Sequence, residues 1–226
     1  MHIEPGIVDG TKIVLSYATA ATAAGYAAKL AADTIREQGA MSFATRGAAT
    51  TVLVFCFFEM LPHFSVGVSE VHFIFGSTLF LIFGAAPAAC GLALGLLLQG
   101  IFFVPTDLPQ YGMNVTTLLV PLFAIAAMAD RVIARDTAYV DLKYRQALSL
   151  STAYQAGIVA WVAFWAIYGR GLGAENLSSI ATFAGSYALV IVVEPLVDLG
   201  VLALAKAMRG VFSDGLVTPR LHHAAR

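Results

Sequence analysis

From Val71 to Val104 the chain carries no Asp, Glu, Lys or Arg. As one helix this stretch would be roughly 50 Å long, against a bilayer hydrocarbon core of about 30 Å. It has to fold back on itself. Gly84-Ala85-Ala86-Pro87 marks the break, because proline inside a helix removes a hydrogen bond and clashes with the preceding turn. The rest of the chain has the same character, with 59% hydrophobic and only 12% charged residues. A water-soluble domain carries roughly 25% charged residues, so disorder, collagen and an ordinary soluble enzyme are excluded and lipid is the expected solvent. The net charge of -1 gives no case for nucleic-acid binding. Cys56 and Cys90 both lie in apolar runs. Two cysteines rule out a disulfide framework or a cysteine zinc site, and they read as free core thiols.

Apolar runs occur at about 12–31, 43–62, 72–84, 87–104, 113–130, 148–169 and 181–207. They predict an all-α, polytopic membrane protein of about seven transmembrane helices. The third is short and is expected to begin below the outer surface, with His72 at its start. With the N-terminus outside, Lys29, Arg36, Arg46, Arg131, Arg135, Lys143, Arg145, Lys206, Arg209, Arg220 and Arg226 fall on the inner side. Only Lys12 and Arg170 fall outside. The positive-inside rule favours this orientation, with a cytoplasmic C-terminus in the cell (inner or plasma) membrane, and favours seven spans over six. Residues 1–226 read as one transmembrane domain: an N-terminal segment 1–11, a cytoplasmic interfacial loop 131–147 and a cytoplasmic tail 208–226. The alternation of Arg131, Arg135, Lys143 and Arg145 with Val132, Ile133, Tyr139, Val140 and Leu142 predicts an interfacial helix in that loop.

Met1-His2-Ile3-Glu4-Pro5-Gly6 has no basic region and no cleavage site of a signal peptide. The mature chain is expected to begin at Met1, since His2 is not the small residue that methionine removal requires. A free amine, the His2 backbone nitrogen and the His2 Nδ1 close five- and six-membered chelate rings in one plane. A fourth nitrogen would complete a square, which favours Ni(II) or Cu(II) and accommodates Co(II). The alternative is that His2 belongs to a frayed terminus. His72 lies on the same outer side, and a helix N-terminus there would keep its imidazole neutral and able to donate. It reads either as that fourth ligand or as an interfacial histidine bonded to a carbonyl. His63, after Pro62, is a third outer candidate or a loop histidine. Glu4, Asp9, Glu70, Asp107 and Glu175 make an acidic outer mouth that concentrates cations. Glu70 could orient a ligand or be an exposed loop acid. Ala20, Ala24 and Ala28, with Ala23, Ala27 and Ala31 beside them, form small faces suited to close helix approach in lipid. Glu194 and Asp198 share a helix face around Pro195. Acids at membrane depth either line a proton or ion path or pair within the bundle.

Met1-His2-Ile3 followed by an acid, Pro and Gly resembles the start of the CbiM/NikM family, the substrate-capturing membrane components of energy-coupling-factor (ECF) transporters for cobalt and nickel. Two further stretches are similar: Glu59 to Gly84, with Pro62, Ser69, His72 and Gly76, and Tyr111-Gly112-Met113-Asn114-Val115, where the family shows Gly-Ala-Asn. The resemblance covers roughly residues 1–130. It implies a metal square formed by the Met1 nitrogen, the His2 nitrogen and imidazole, and the His72 imidazole, with the N-terminal segment inserted to reach the second histidine. It also implies a transported Ni2+ or Co2+ and no prosthetic group. The implied partners are a coupling (T) subunit contacted by the first-helix alanines, ATPase subunits and a small accessory membrane subunit. The chain departs from the family at Ser69-Glu70-Val71, where Thr-Ser-Gly is usual, and at Glu4-Pro5, where the order is Pro-Asp.

No Gly-x-x-x-x-Gly-Lys-Ser/Thr stretch occurs, so the chain is not itself the ATPase. The expected function is capture of a divalent ion for ATP-driven import, without enzyme activity. The alternative is a proton-coupled secondary metal transporter using Glu194 and Asp198. A bis-histidine haem site is disfavoured, since only His72 borders the membrane core.

Overall fold

The computed structural model describes residues 2–208 and 215–224; Met1, Arg209 and Arg226 lie outside the described residues. Helix α1 (Ile13–Gln38) and helix α2 (Ala40–Met60) are separated by Gly39 alone. Its φ of 87° lies in the left-handed region that glycine adopts without a Cβ clash. After α2 comes a hairpin of β1 (Phe64–Val66) and β2 (Ser69–Val71), in antiparallel register with Phe64 opposite Val71 and Val66 opposite Ser69. Helix α3 (Gly76–Phe83) and helix α4 (Ala85–Phe102) then flank Gly84, at φ 89°. The break in the uncharged stretch is thus where the sequence predicts it. Pro87 is tolerated because it sits in the first turn of α4, where its missing N–H has no helical partner. A 3-10 turn (Pro105–Gln110) leads into α5 (Tyr111–Val132), followed by α6 (Tyr144–Arg170) and α7 (Ala174–Ala207).

Among the described residues, five elements are long and apolar enough to cross a membrane: α2, α4, Pro105–Val132, α6 and α7. Helix α1 carries Lys29, Asp33, Arg36 and Glu37 in its last turns, and α3 has only 8 residues. The chain is an all-α, multi-pass membrane protein. Helix α4 is its central element, and its closest approach is to α2. A Cβ at Gly91 would stand 2.4 Å from the Thr50 side chain, and one at Gly95 would stand 2.7 Å from Val54. Glycines four residues apart therefore let the two backbones meet, as expected for association in lipid. The Thr50 hydroxyl reaches the Pro87 carbonyl at 2.7 Å, so the contact also satisfies a polar group.

The end of the bundle expected to face the cytoplasm differs from expectation in two ways. Residues 133–143 do not form an interfacial helix; they hold one 3-10 turn, Tyr139–Asp141. Ile133, Ala138, Tyr139 and Val140 are buried. The Tyr139 ring lies 5.8 Å from that of Phe80 and 5.0 Å from the Arg220 guanidinium. The apolar residues turn inward and close the bundle instead of facing lipid. Arg46, expected among the solvated inner-side charges, is buried inside α2, where it donates to the Phe83 carbonyl at 2.8 Å and to Gln38. It caps the carbonyl end of α3. The tail folds back over the same end, with the Thr218 N–H donating to the Ile82 carbonyl at 2.8 Å and Arg220 pairing with Asp130 at 3.2 Å.

On α1 the small residues serve two faces. Ala23 is buried in the bundle. Ala20, Ala24 and Ala28 instead line an open apolar groove of about 540 Å³ with Cys90 on α4 and Tyr111 on α5.

A candidate metal centre at the N-terminal strand

The N-terminal segment runs antiparallel against the edge of the hairpin, with a single bridge at Ile3. The Glu70 N–H donates to the His2 carbonyl at 3.0 Å, and the Glu4 N–H donates to the Val68 carbonyl at 3.2 Å. Ile3 bridges to Ser69, whose hydroxyl also reaches the His2 carbonyl at 2.8 Å. From the other side the Ile3 N–H donates to Asn114 Oδ1 at 2.9 Å. Ile3, Ile7 and Val8 are buried. The backbone of Ile7 passes so close to α6 that a Cβ at Gly169 would fall 1.9 Å from the Ile7 carbonyl oxygen. Residues 2–8 are therefore a docked segment, bridged to the hairpin at Ile3 and turning after Glu4, not a frayed terminus.

Docking brings His2 to His72, with ring centroids 5.6 Å apart. Both residues are buried. His2 Nε2 lies 2.8 Å from Gln99 Oε1, itself buried. A carbonyl oxygen can only accept, so the ring proton belongs on Nε2 and the Nδ1 lone pair is left free. That is the nitrogen an N-terminal chelate requires. Asp107 Oδ2 stands 2.7 Å from Nδ1, close enough to pair with a protonated ring, though Nδ1 makes no well-aligned hydrogen bond among the described residues.

His72 is 1% exposed, and neither of its ring nitrogens has a hydrogen-bond partner among the described residues. Buried polar atoms without partners are rare and call for an explanation. Glu70 Oε2 is 3.6 Å away from Nε2. Donor atoms of His2, Glu70 and His72 all lie within 4.8 Å of one another, the spacing of groups that can close on one ion. His72 is not in the first turn of a helix as the sequence suggests; α3 begins at Gly76. Burial, rather than a helix dipole, holds its imidazole well below the usual histidine range, and the neighbouring His2 and His63 add to this. A neutral imidazole with both nitrogens unpartnered is a competent metal donor.

The other expected residues fall into place around this cluster. His63 is exposed and lies outside the donor set, but its ring stacks on His72 at 4.9 Å and 7°. Phe58 covers His72 edge-on at 5.4 Å. Asn114 holds the strand through Ile3. Glu194 and Asp198 stand behind the cluster, bonded to residues 74–78. Met1 lies outside the described residues. Gln99 and Asp107 were not singled out from sequence. Gln99 left a signal, since it is the only amide side chain in the uncharged stretch from Val71 to Val104. Asp107 left none beyond its place among the outer acids.

Comparison with known proteins agrees with this architecture. Residues 2–211 match a family described as the cobalt uptake substrate-specific transmembrane region, CbiM. No curated protein matches the chain. Two solved structures are similar in fold. A crystal structure of a transition metal transporter aligns with TM-score 0.69 and 17% identity, over 92% of this chain and 93% of the other. A crystal structure of a truncated transition metal transporter aligns with TM-score 0.61 and 16% identity, over 92% of this chain and 98% of the other. With a match that spans nearly the whole chain, and a buried histidine cluster at the N-terminal strand, this protein belongs to the CbiM family.

Proposed function

We propose that the protein captures a divalent transition metal ion, Ni2+ or Co2+, on the outer face of the membrane as the substrate-binding component of an ATP-driven ECF importer. The observation that carries this reading is the pair of buried imidazoles, His2 and His72, with both nitrogens of the second left without hydrogen bonds among the described residues and Nδ1 of the first facing only Asp107. The ion is held by the amine of Met1, the backbone nitrogen and Nδ1 of His2, and a ring nitrogen of His72. Gln99 fixes the His2 tautomer, Asn114 and Ser69 hold the strand, and Glu70 and Asp107 supply negative charge beside the ion. The N-terminus faces outward, seven helices cross the membrane, and the basic inner end faces the cytoplasm. The open alanine groove on α1 fits the coupling subunit, with ATPase subunits and an accessory membrane subunit completing the complex.

A proton-coupled carrier using Glu194 and Asp198 is not favoured. Their carboxylates already face N–H and O–H donors from residues 74–78 and Gln155. The test is the electronic spectrum and magnetism of nickel-loaded protein. Four nitrogens in a plane give diamagnetic Ni(II) with a visible band. A paramagnetic six-coordinate spectrum would refute the ligand set.

A further inference from the structure

Four residues, His72 to Phe75, connect β2 to α3 without belonging to either. Phe75 takes φ 54°, the one non-glycine with positive φ among the described residues. A bulky residue held in that region costs on the order of 1–3 kcal/mol and persists only where its surroundings impose it. The sequence predicts a helical run from residue 72, so something prevents α3 from starting four residues earlier.

That something is α7. Glu194 is wholly buried, and its Oε1 accepts the N–H groups of Ile74 at 2.9 Å and Phe75 at 3.0 Å. Its Oε2 accepts from the Gln155 amide on α6. One turn further, Asp198 accepts from the hydroxyls of Ser77, at 2.7 Å, and Thr78. At the other end of the same loop, the hairpin turn lies on α7. A Cβ at Gly67 would fall 2.2 Å from the Ser179 carbonyl oxygen. Helix α7 thus backs the whole segment from Gly67 to Thr78, and His72 sits in the middle of it.

We propose that Glu194 is the positioning residue for His72. By gripping the Ile74 and Phe75 N–H groups it fixes the peptide that carries the imidazole, and so sets how tightly the ion is held. This inference rests on the metal-capture reading above. Backbone N–H groups bonded to a buried carboxylate make strong, directional contacts. Two residues separate Ile74 from His72, so a displaced anchor moves the ring. What matters is an acceptor at the right place. A glutamine at this position still offers a carbonyl oxygen to both N–H groups. Its amide can donate to Gln155 Oε1, which has no partner at present.

The experiment is titration of Ni2+ into full-length wild type and three variants, with the visible spectrum of bound ion as a second readout. Glu194→Leu removes the acceptor, and Glu194→Asp withdraws it by about 1.5 Å, the length of one carbon–carbon bond. Both are expected to bind at least about tenfold more weakly, the usual cost of losing a partner behind a metal ligand, with a shifted visible band. Glu194→Gln is expected to bind within about threefold of wild type with the wild-type spectrum, since the acceptor for both N–H groups stays. Should Glu194→Leu not fold, Glu194→Asp decides. Wild-type affinity and spectrum in Glu194→Asp would overturn the inference. So would a Glu194→Gln protein as weak as the other variants, because charge and not a placed acceptor would then set affinity. A wild type that binds no ion would overturn the capture reading and this inference with it. Tight wild-type binding with unaffected variants overturns this inference alone.

Discussion

Replacing Gln99 by leucine separates the two ways in which His2 could hold an ion. The Gln99 carbonyl oxygen lies 2.8 Å from His2 Nε2, with both side chains buried. Leucine has nearly the same volume and no acceptor, so the Nε2 proton is left unpaired. A buried donor without a partner costs about 1–3 kcal/mol, and about 1.4 kcal/mol is tenfold in binding. Loss of the partner behind a metal-bound histidine typically weakens affinity by about 10–100-fold. We therefore expect Gln99→Leu to weaken Ni2+ binding by about that factor, and Gln99→Glu, which keeps an acceptor, to bind no more weakly than wild type. The assay is competition against a chromophoric chelator at pH 8 in detergent. If Nε2 were the ligand instead, Gln99 would compete with the ion and its removal would strengthen binding. An affinity equal to or tighter than wild type in Gln99→Leu would therefore refute the Nδ1 assignment by its sign.

Acidification should destabilise the metal-free protein through His72. Burial lowers its folded pKa, so its share of stability is fully present above the unfolded value of about 6.5 and is lost as pH falls toward the folded one. A melting temperature that drops between pH 8 and pH 5, and drops less in His72→Phe, is the expected result. Gly91→Val should separate α2 from α4, because its first added carbon would stand 2.4 Å from the Thr50 side chain. Overfilling a tight contact costs about 1–3 kcal/mol, which thermal unfolding in detergent would register.

Much of this architecture is legible because lipid imposes simple demands on sequence. Gly84 and Pro87 had to break the uncharged stretch, since no bilayer holds a helix of that length. His2 and His72 were visible because polar side chains are scarce at membrane depth. What sequence hid is tertiary. The run from residue 72 looks helical, yet Glu194, distant in the chain, takes the N–H groups that would otherwise be free at its start. The loop after α5 looks amphipathic, but its apolar residues turn toward Phe80 and the tail and not toward lipid. Gln99 orients His2 across a gap of 97 residues in sequence, which no local pattern reports.

The account turns on the first nitrogen of the chain joining two imidazoles around one ion. The most direct measurement is Ni2+ affinity of protein beginning at Met1 against protein with two or three residues added before it. Extension converts the amine to an amide, which removes the first nitrogen of the proposed donor set. The account predicts that the extended protein loses the ion by orders of magnitude while its thermal stability without metal stays near that of the native form. Equal affinity in the two proteins would contradict it.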